Sequence, residues 1–292
     1  MLLLSSNFIK GFLYLLGLVP LKLLLLVARL GGSIVYFFNT GATKTTLANL
    51  KLAFPKYSEV QLQTMAKKSI IETIKTGLEL GLAWRHLPSK NLSLYIEESG
   101  FKKITASLEK KEGLLIFSPH LSNIEMLMNF LGKNLDCMIL YTPSKNKIFD
   151  KVMLDSRNKM GAKMVEPTMQ GIKSLLRHLH EGGVVVIAPD QVPNKESGIL
   201  SNFFSTPALT MTLVSKLKLK SGSPCHSVFC CRQKNSKKFY LEFSDEIQGM
   251  DINLQSSVDR MNEQLEECIM NAPEQYAWEY KRYKHSSLED IY

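Results

Sequence analysis

Gly113-Leu114-Leu115-Ile116-Phe117-Ser118-Pro119-His120-Leu121-Ser122-Asn123-Ile124-Glu125-Met126 is the stretch that decides the fold of this 292-residue chain. Its apolar half between Gly113 and Pro119 predicts a short buried strand, and Ser122-x-x-Glu125 before an apolar run predicts the start of a helix. His120 then lies in the turn between them. In open sheets of parallel strands, ligands bind in the crevice at the carboxyl ends of the strands. The sequence therefore places an imidazole where a substrate can reach it.

The rest of the chain alternates between short apolar runs and amphipathic segments. Further strands are predicted at 92–96, 137–141, 163–165, 184–188, 227–231 and 239–243, and helices at 101–110, 124–131, 149–160 and 172–179. Alternation of this kind indicates an α/β fold, with a largely parallel sheet flanked by helices. Thr206-Pro207 is typical of a helix cap followed by the first helical residue, so another helix is predicted there.

The N-terminal part differs in composition from the rest. Residues 8–38 are the most apolar region, and the run at 11–28 is broken by one charge, Lys22. A membrane-spanning helix needs about 17–25 apolar residues, and Lys22 beside Pro20 favours a tilted or partly interfacial helix. We therefore expect residues 1–40 to be a membrane anchor and 41–292 the α/β domain. Basic residues are more frequent after the run than before it, which predicts a cytoplasmic domain.

Charge and cysteine usage restrict the function classes. A net charge of +9 suits an anionic partner: a membrane surface, a phosphorylated lipid, an acidic carrier protein or nucleic acid. Nucleic acid is the least expected partner, because the chain has neither zinc-finger spacing nor an aromatic-rich binding platform. The five cysteines show no ligand spacing, which predicts reduced thiols and no metal. Without a glycine-rich phosphate loop, no nucleotide cofactor is expected.

Two carboxylates are candidates for a site around His120. Glu125, in the first turn of the predicted helix, can point back at the ring, fix its tautomer and stabilise the imidazolium. The alternative is that Ser122 and Glu125 form a capping box with no catalytic role. Asp190 directly follows the predicted strand 184–188 and should emerge at the same sheet edge, although an Asp in this position is often only a turn residue.

The strand-Pro-His-x4-Glu pattern resembles the His-x4-Asp/Glu signature of the glycerolipid acyltransferase superfamily. Its surroundings resemble more narrowly the secondary (late) acyltransferases of lipid A biosynthesis, the lauroyl and myristoyl transferases. The similar stretches occur in order along most of the chain: Asn49-Leu50 with Phe54-Pro55, Gly113 to Glu125, Arg157, Ala188-Pro189-Asp190-Gln191, Phe203-Phe204, and Ala272-Pro273-Glu274-Gln275-Tyr276 with Trp278 and Arg282.

This resemblance implies transfer of a fatty acyl chain from acyl carrier protein to a hydroxyl of a 3-hydroxyacyl chain on a lipid A precursor. The reaction would take place at the cytoplasmic face of a bacterial inner membrane. It implies that His120 is the general base, oriented by Glu125, and that Arg157, Asp190 and Asn123 bind substrate, with neither metal nor cofactor. For Asn123, a helix cap is an equal alternative. Two other functions stay open: acylation of another membrane lipid, such as a lysophospholipid, and lipid binding without catalysis.

Overall fold

The computed structural model describes residues 6–86, 91–286, 288 and 291–292. A seven-stranded sheet forms its centre, and its strands in chain order are β1 (Ile96–Ser99), β2 (Leu114–Phe117), β3 (Cys137–Leu140), β4 (Lys163–Val165), β5 (Val184–Ile187), β8 (Cys225–Arg232) and β9 (Phe239–Phe243). The spatial order is β1-β9-β8-β2-β5-β3-β4. Every neighbouring pair is parallel except β8 and β9, which form an antiparallel hairpin. The predicted α/β class and largely parallel sheet are confirmed.

The helices cover both faces of this sheet. They are α1 (Ser6–Leu18), α2 (Leu21–Phe37), α3 (Gly41–Ala53), α4 (Glu59–Gly81), α5 (Phe101–Glu109), α6 (Ile124–Asn134), α7 (Lys147–Lys159), α8 (Met169–His180), α9 (Leu213–Ser221) and α10 (Leu254–Met270). Alternate residues of β2 enter two apolar cores. Leu115 and Phe117 pack with side chains of α8, α9 and α10, whereas Leu114 and Ile116 pack with side chains of α5, α6 and α7. All residues of β2 and β5 are buried, as expected for parallel strands covered on both sides.

The register between β2 and β5 positions the two candidate site residues that follow them. Phe117 pairs with Ile187 at the carboxyl ends of the strands. His120 and Asp190 each lie three residues beyond that pair. The segments that follow β2 and β5 therefore leave the same edge of the sheet side by side, which brings residues that are far apart in sequence into one place.

Two local predictions are wrong. The helix expected after Thr206 is instead a strand: β7 (Thr206–Met211) pairs antiparallel with β6 (Gly198–Phe203), and β6 packs against α10. Pairing along the whole of β6 outweighs the local cap signal of Thr206-Pro207. The first strand was also predicted too early, because Asn91 accepts a hydrogen bond from the Ser93 N–H and caps a short 3₁₀ turn, Leu92–Leu94, before β1 begins.

The N-terminal apolar region forms two helices rather than one. Pro20 has extended backbone angles and precedes α2, and the axes of α1 and α2 are bent by 111° across this break. Within the described parts of the chain, no single helix is long and apolar enough to cross a membrane, while α1 and α2 together meet the length and composition test as a bent pair. Both helices pack on α4, which begins with a capping box formed by Ser58 and Gln61.

Candidate active site

His120 is held by Asp190 at the carboxyl edge of the sheet. The Nδ1 atom of the ring lies 2.7 Å from Asp190 Oδ1, and the backbone N–H of His120 donates to Oδ2 at 2.8 Å. Asp190 is buried, whereas the His120 side chain is 30% exposed. Because an ionised carboxylate can only accept, Nδ1 carries the proton and Nε2 keeps its lone pair. Gln191 Nε2 lies 3.4 Å from that nitrogen.

The pairing changes the pKa of both groups. Burial lowers the pKa of His120, but the charge of Asp190 and its hydrogen bond outweigh that effect and raise the pKa above the ordinary value of 6.5. Burial pushes the pKa of Asp190 upward, yet the positive charge and hydrogen bonds of His120 hold it below its ordinary value. Asp190 therefore stays ionised near neutral pH and makes His120 a stronger base, as a general base requires.

Glu125 does not contact the imidazole. Its carboxylate forms a two-pronged ion pair with Arg157, 3.1 Å from Nε and 2.5 Å from Nη2. The two side chains are only 8% and 10% exposed. The predicted orienting contact between Glu125 and the ring is therefore wrong, because Glu125 is the second residue of α6 and faces α7. The charges of this pair still reach His120, where Arg157 lowers the pKa and Glu125 raises it.

Asn123 is the N-cap of α6 and has no exposed surface. Its Oδ1 accepts from the Glu125 N–H at 3.2 Å, and its Nδ2 donates to Glu79 Oε2 at 3.3 Å. With both polar ends of its side chain engaged inside the protein, Asn123 does not face a substrate, which corrects its assignment to substrate binding. The helix-cap alternative is confirmed, with Asn123 rather than Ser122 as the capping residue.

A buried ion network on α4 supports the turn that carries His120. Arg232, at the end of β8, places Nε 2.5 Å and Nη2 2.6 Å from the two carboxylate oxygens of Glu79, and its Nη1 donates to Glu72. Thr76, between those glutamates, donates to the backbone oxygen of Ser122 at 3.4 Å. Ser122 has a φ of +55°, a strained conformation for a residue other than glycine. Contacts from α4 therefore help to hold the strained turn in place.

Sequence reasoning missed this network because no short motif joins Arg232 to Glu79, which are 153 positions apart. Glu72 and Glu79 do carry a signal. They lie seven residues apart, and hence on one side of α4, within a helix whose neighbouring positions are apolar. Two acids on the buried side of an amphipathic helix require a cation as partner.

The segment after α10 forms the other wall of the turn. Leu121 and Tyr276 form an antiparallel bridge, the Ala277 N–H donates to the His120 oxygen at 3.2 Å, and the Ser122 N–H donates to the Gln275 oxygen at 2.8 Å. These residues belong to the stretch at 272–278 that the resemblance singled out. Its position explains why a segment near the C-terminus belongs to a site centred on residue 120.

The Glu125–Arg157 pair is packed against buried apolar side chains, which include Trp84, Met128 and Met160. Trp84 lies in a π-helical turn, Leu82–His86, whose irregular backbone is partly satisfied by the Ser156 hydroxyl donating to the Trp84 oxygen at 2.7 Å. Packed apolar side chains therefore surround this ion pair.

An imidazole that keeps the lone pair on Nε2, oriented by a buried carboxylate at the open edge of an α/β sheet, has the chemistry to accept a proton from a bound molecule. Comparison with known proteins places the chain in a family. Residues 5–285 match the family described as "Bacterial lipid A biosynthesis acyltransferase". The chain therefore belongs to this family, and the resemblance found in its motifs is confirmed.

Individual relatives agree on the pathway but differ in the acyl group. The chain is 26% identical to the lipid A biosynthesis lauroyltransferase of Escherichia coli (strain K12) over 264 residues, 88% of this chain and 85% of the relative. The palmitoleoyltransferase of the same organism is 23% identical, with 81% and 76% covered, and its myristoyltransferase 21% identical, with 82% and 75% covered. This kinship supports acyl transfer onto lipid A and leaves the acyl group undefined.

Proposed function

We propose that this protein transfers a fatty acyl chain from acyl carrier protein to the hydroxyl of a 3-hydroxyacyl chain on a lipid A precursor. The observation that carries the proposal is the His120–Asp190 pair at the sheet edge, in a chain of this family. A thioester is already activated toward attack. Its reaction with an alcohol therefore needs a base and stabilisation of the oxyanion, but no covalent nucleophile.

In the proposed mechanism, His120 Nε2 takes the proton of the acceptor hydroxyl while the hydroxyl oxygen attacks the thioester carbonyl. The negative charge of Asp190 stabilises the imidazolium that forms. When the tetrahedral intermediate collapses, the new C–O ester bond remains, the C–S bond breaks, and the imidazolium returns its proton to the departing thiolate. A base positioned in this way contributes typically about 10²–10⁴-fold to the rate.

The remaining site features are assigned to substrate binding. Arg157 is proposed to contact the oxyanion or a substrate phosphate, and its ion pair with Glu125 holds the guanidinium in one orientation.

The protein is further proposed to act at the cytoplasmic face of a bacterial inner membrane. Helices α1 and α2 expose many large apolar side chains: Phe8, Phe12, Leu15, Leu18, Leu23, Leu26, Val27, Leu30, Ile34 and Phe37. A bent pair with one apolar face suits helices that lie within the membrane interface. The net charge of +9 favours both anionic lipid head groups and an acidic carrier protein.

The test is an assay of the purified full-length protein with an acyl-carrier-protein thioester and a lipid A precursor, followed by mass spectrometry of the lipid. We expect a product heavier by one acyl group, and a loss of about 10²–10⁴-fold in rate for His120→Ala. His180→Ala, at an exposed histidine of α8, is the matched control and should keep the wild-type rate. Equal rates for His120→Ala and the wild type would refute the mechanism. Acylation of a lysophospholipid alone would replace the acceptor, and release of free fatty acid alone would indicate a hydrolase.

A further inference from the structure

A groove of about 700 Å³ opens between α2, α3 and α4. None of the site residues described above lines it. Leu30, Ile34 and Phe37 of α2 and Leu47 of α3 form its apolar walls, and Lys67 of α4 lies at its rim. A volume of this size falls within the range of about 300–1,000 Å³ that is typical of small-molecule sites.

The packing of α2 on α4 explains why the groove exists. At Gly32, α2 approaches α4 so closely that an added Cβ would lie 2.8 Å from the Cα atom of Ile71. Further along α2, bulky side chains replace glycine and remain exposed: Ile34 is 56% and Phe37 is 80% exposed. The helices therefore touch at Gly32 and leave a depression toward the C-terminal end of α2.

The groove is continuous with the exposed apolar face of α1 and α2, since Leu30 and Ile34 belong to both. Large contiguous apolar surfaces mark membrane or partner sites. Lys67 is exposed and makes no ion pair within the described ranges, and the first turn of α3, with its partial positive charge, also borders the groove. Gln63 lines the polar end of the groove and donates a hydrogen bond to the side chain of Glu59. The negative charge of Glu59 is paired with Lys51, whose Nζ lies 3.4 Å from the carboxylate.

From this combination we propose that the groove binds one anionic phospholipid of the surrounding bilayer, with an acyl chain along Leu30, Ile34 and Phe37 and its phosphate beside Lys67. A lysine can lay its aliphatic stem along an apolar wall while its ammonium reaches a head group. The bound lipid is a structural partner of the N-terminal helices, distinct from the substrate at His120. The inference rests on the proposed function only through the membrane location.

The first test is native mass spectrometry of the full-length protein released from nanodiscs that contain phosphatidylglycerol or phosphatidylcholine. We expect one retained phosphatidylglycerol per chain and a clear preference over phosphatidylcholine. Lys67→Gln should reduce that preference about fivefold, as expected for one lysine at a lipid phosphate. Lys68→Gln is the matched control, because Lys68 is the next residue of α4, is exposed and does not line the groove. Equal effects of the two substitutions would overturn the proposal.

A second pair of variants tests the groove itself. Ser33→Trp places a large side chain in the groove, whereas Val27→Trp places it on an exposed part of α2 outside the groove. We expect the retained lipid to be lost only in Ser33→Trp, with flotation on phosphatidylglycerol vesicles unchanged in both. Retention in both variants, or displacement of the lipid by the acyl acceptor, would overturn the proposal. Because acyl transfer is measured separately, an inactive protein that retains the lipid through Lys67 would refute only the proposed function.

Discussion

Replacing Asp190 by asparagine tests which carboxylate controls His120. Asp190 accepts two hydrogen bonds from His120, at 2.7 Å from Nδ1 and 2.8 Å from the backbone N–H. An asparagine offers only one acceptor oxygen and an NH₂ group. If the oxygen stays on the backbone N–H, the NH₂ group faces Nδ1 and favours the tautomer with the proton on Nε2, which cannot act as a base. Asp190→Asn should therefore remove most of the contribution of general-base catalysis.

The expected loss in kcat/KM is about 10²–10⁴-fold, or roughly 3–5 kcal/mol in the activation barrier. The residual activity should also shift in pH. Activity requires a neutral imidazole, so the wild type loses activity as the pH falls through the raised pKa of His120. Without the Asp190 charge that pKa falls, and the acidic limb of the pH profile moves to lower pH.

The measurement is kcat/KM with an acyl-carrier-protein thioester over roughly pH 5 to 9, a range that brackets the titration of an imidazole. Glu125→Gln is the informative comparison, because Glu125 pairs with Arg157 and not with the ring. Wild-type activity and an unmoved acidic limb in Asp190→Asn, together with a large loss in Glu125→Gln, would refute the assignment of the orienting role to Asp190.

Five further substitutions test the stability of the fold. Burial raises the pKa of Glu266 from 4.5 to about 7, so the native state binds this proton more tightly than the unfolded chain and loses stability as the pH rises between these values. Urea denaturation near pH 8 should therefore show a gain on the order of 2–3 kcal/mol for Glu266→Gln that vanishes at acidic pH, and a pH-independent difference would contradict this. In thermal unfolding, Gly32→Ala should lower the free energy of unfolding by about 1–3 kcal/mol, because the added Cβ would meet the backbone of α4. Gly77→Ala, with open space around the added Cβ, should raise it by about 0.5–1 kcal/mol. The opposite order would argue against the close contact between α2 and α4. Arg232→Met removes the cation that is paired with the buried Glu79 and should cost about 3–5 kcal/mol, against less than about 1 kcal/mol for Lys238→Met in an exposed pair. Similar losses in the two variants would show that burial of the network is unimportant.

The part of the site that could be predicted from the sequence is the part that follows from strand pairing in the sheet. Continuous apolar runs identify β2 and β5, and both are followed by polar residues, so the meeting of His120 and Asp190 at one edge follows from parallel pairing. The partner of Glu125 could not be predicted in this way. Spacing within one helix shows which residues share a face, but the contact with Arg157 depends on where α7 packs.

Elsewhere, long-range contacts overrode local signals. Thr206-Pro207 has the chemistry of a helix start, yet pairing with β6, which itself packs against α10, makes it the start of a strand. Pro20 marked a break in the N-terminal run, but the 111° angle between the two helices reflects their packing on α4. Propensity describes a few neighbouring residues, whereas these outcomes depend on contacts made by distant parts of the chain.

The packing of α1 and α2 on α4 affects how this protein can be prepared. An added Cβ at Gly17 of α1 would lie 2.8 Å from the oxygen of Gly81, and Gly32 of α2 is similarly close to Ile71. Deletion of residues 1–40, intended to yield a readily purified fragment, would remove α1 and α2 from the surface of α4. Helix α4 is the one that contacts the His120 turn through Thr76. Any deficit measured on such a fragment would mix loss of the proposed membrane anchor with distortion of the turn that carries His120, so purification in detergent or nanodiscs with the N-terminus intact is the sounder strategy.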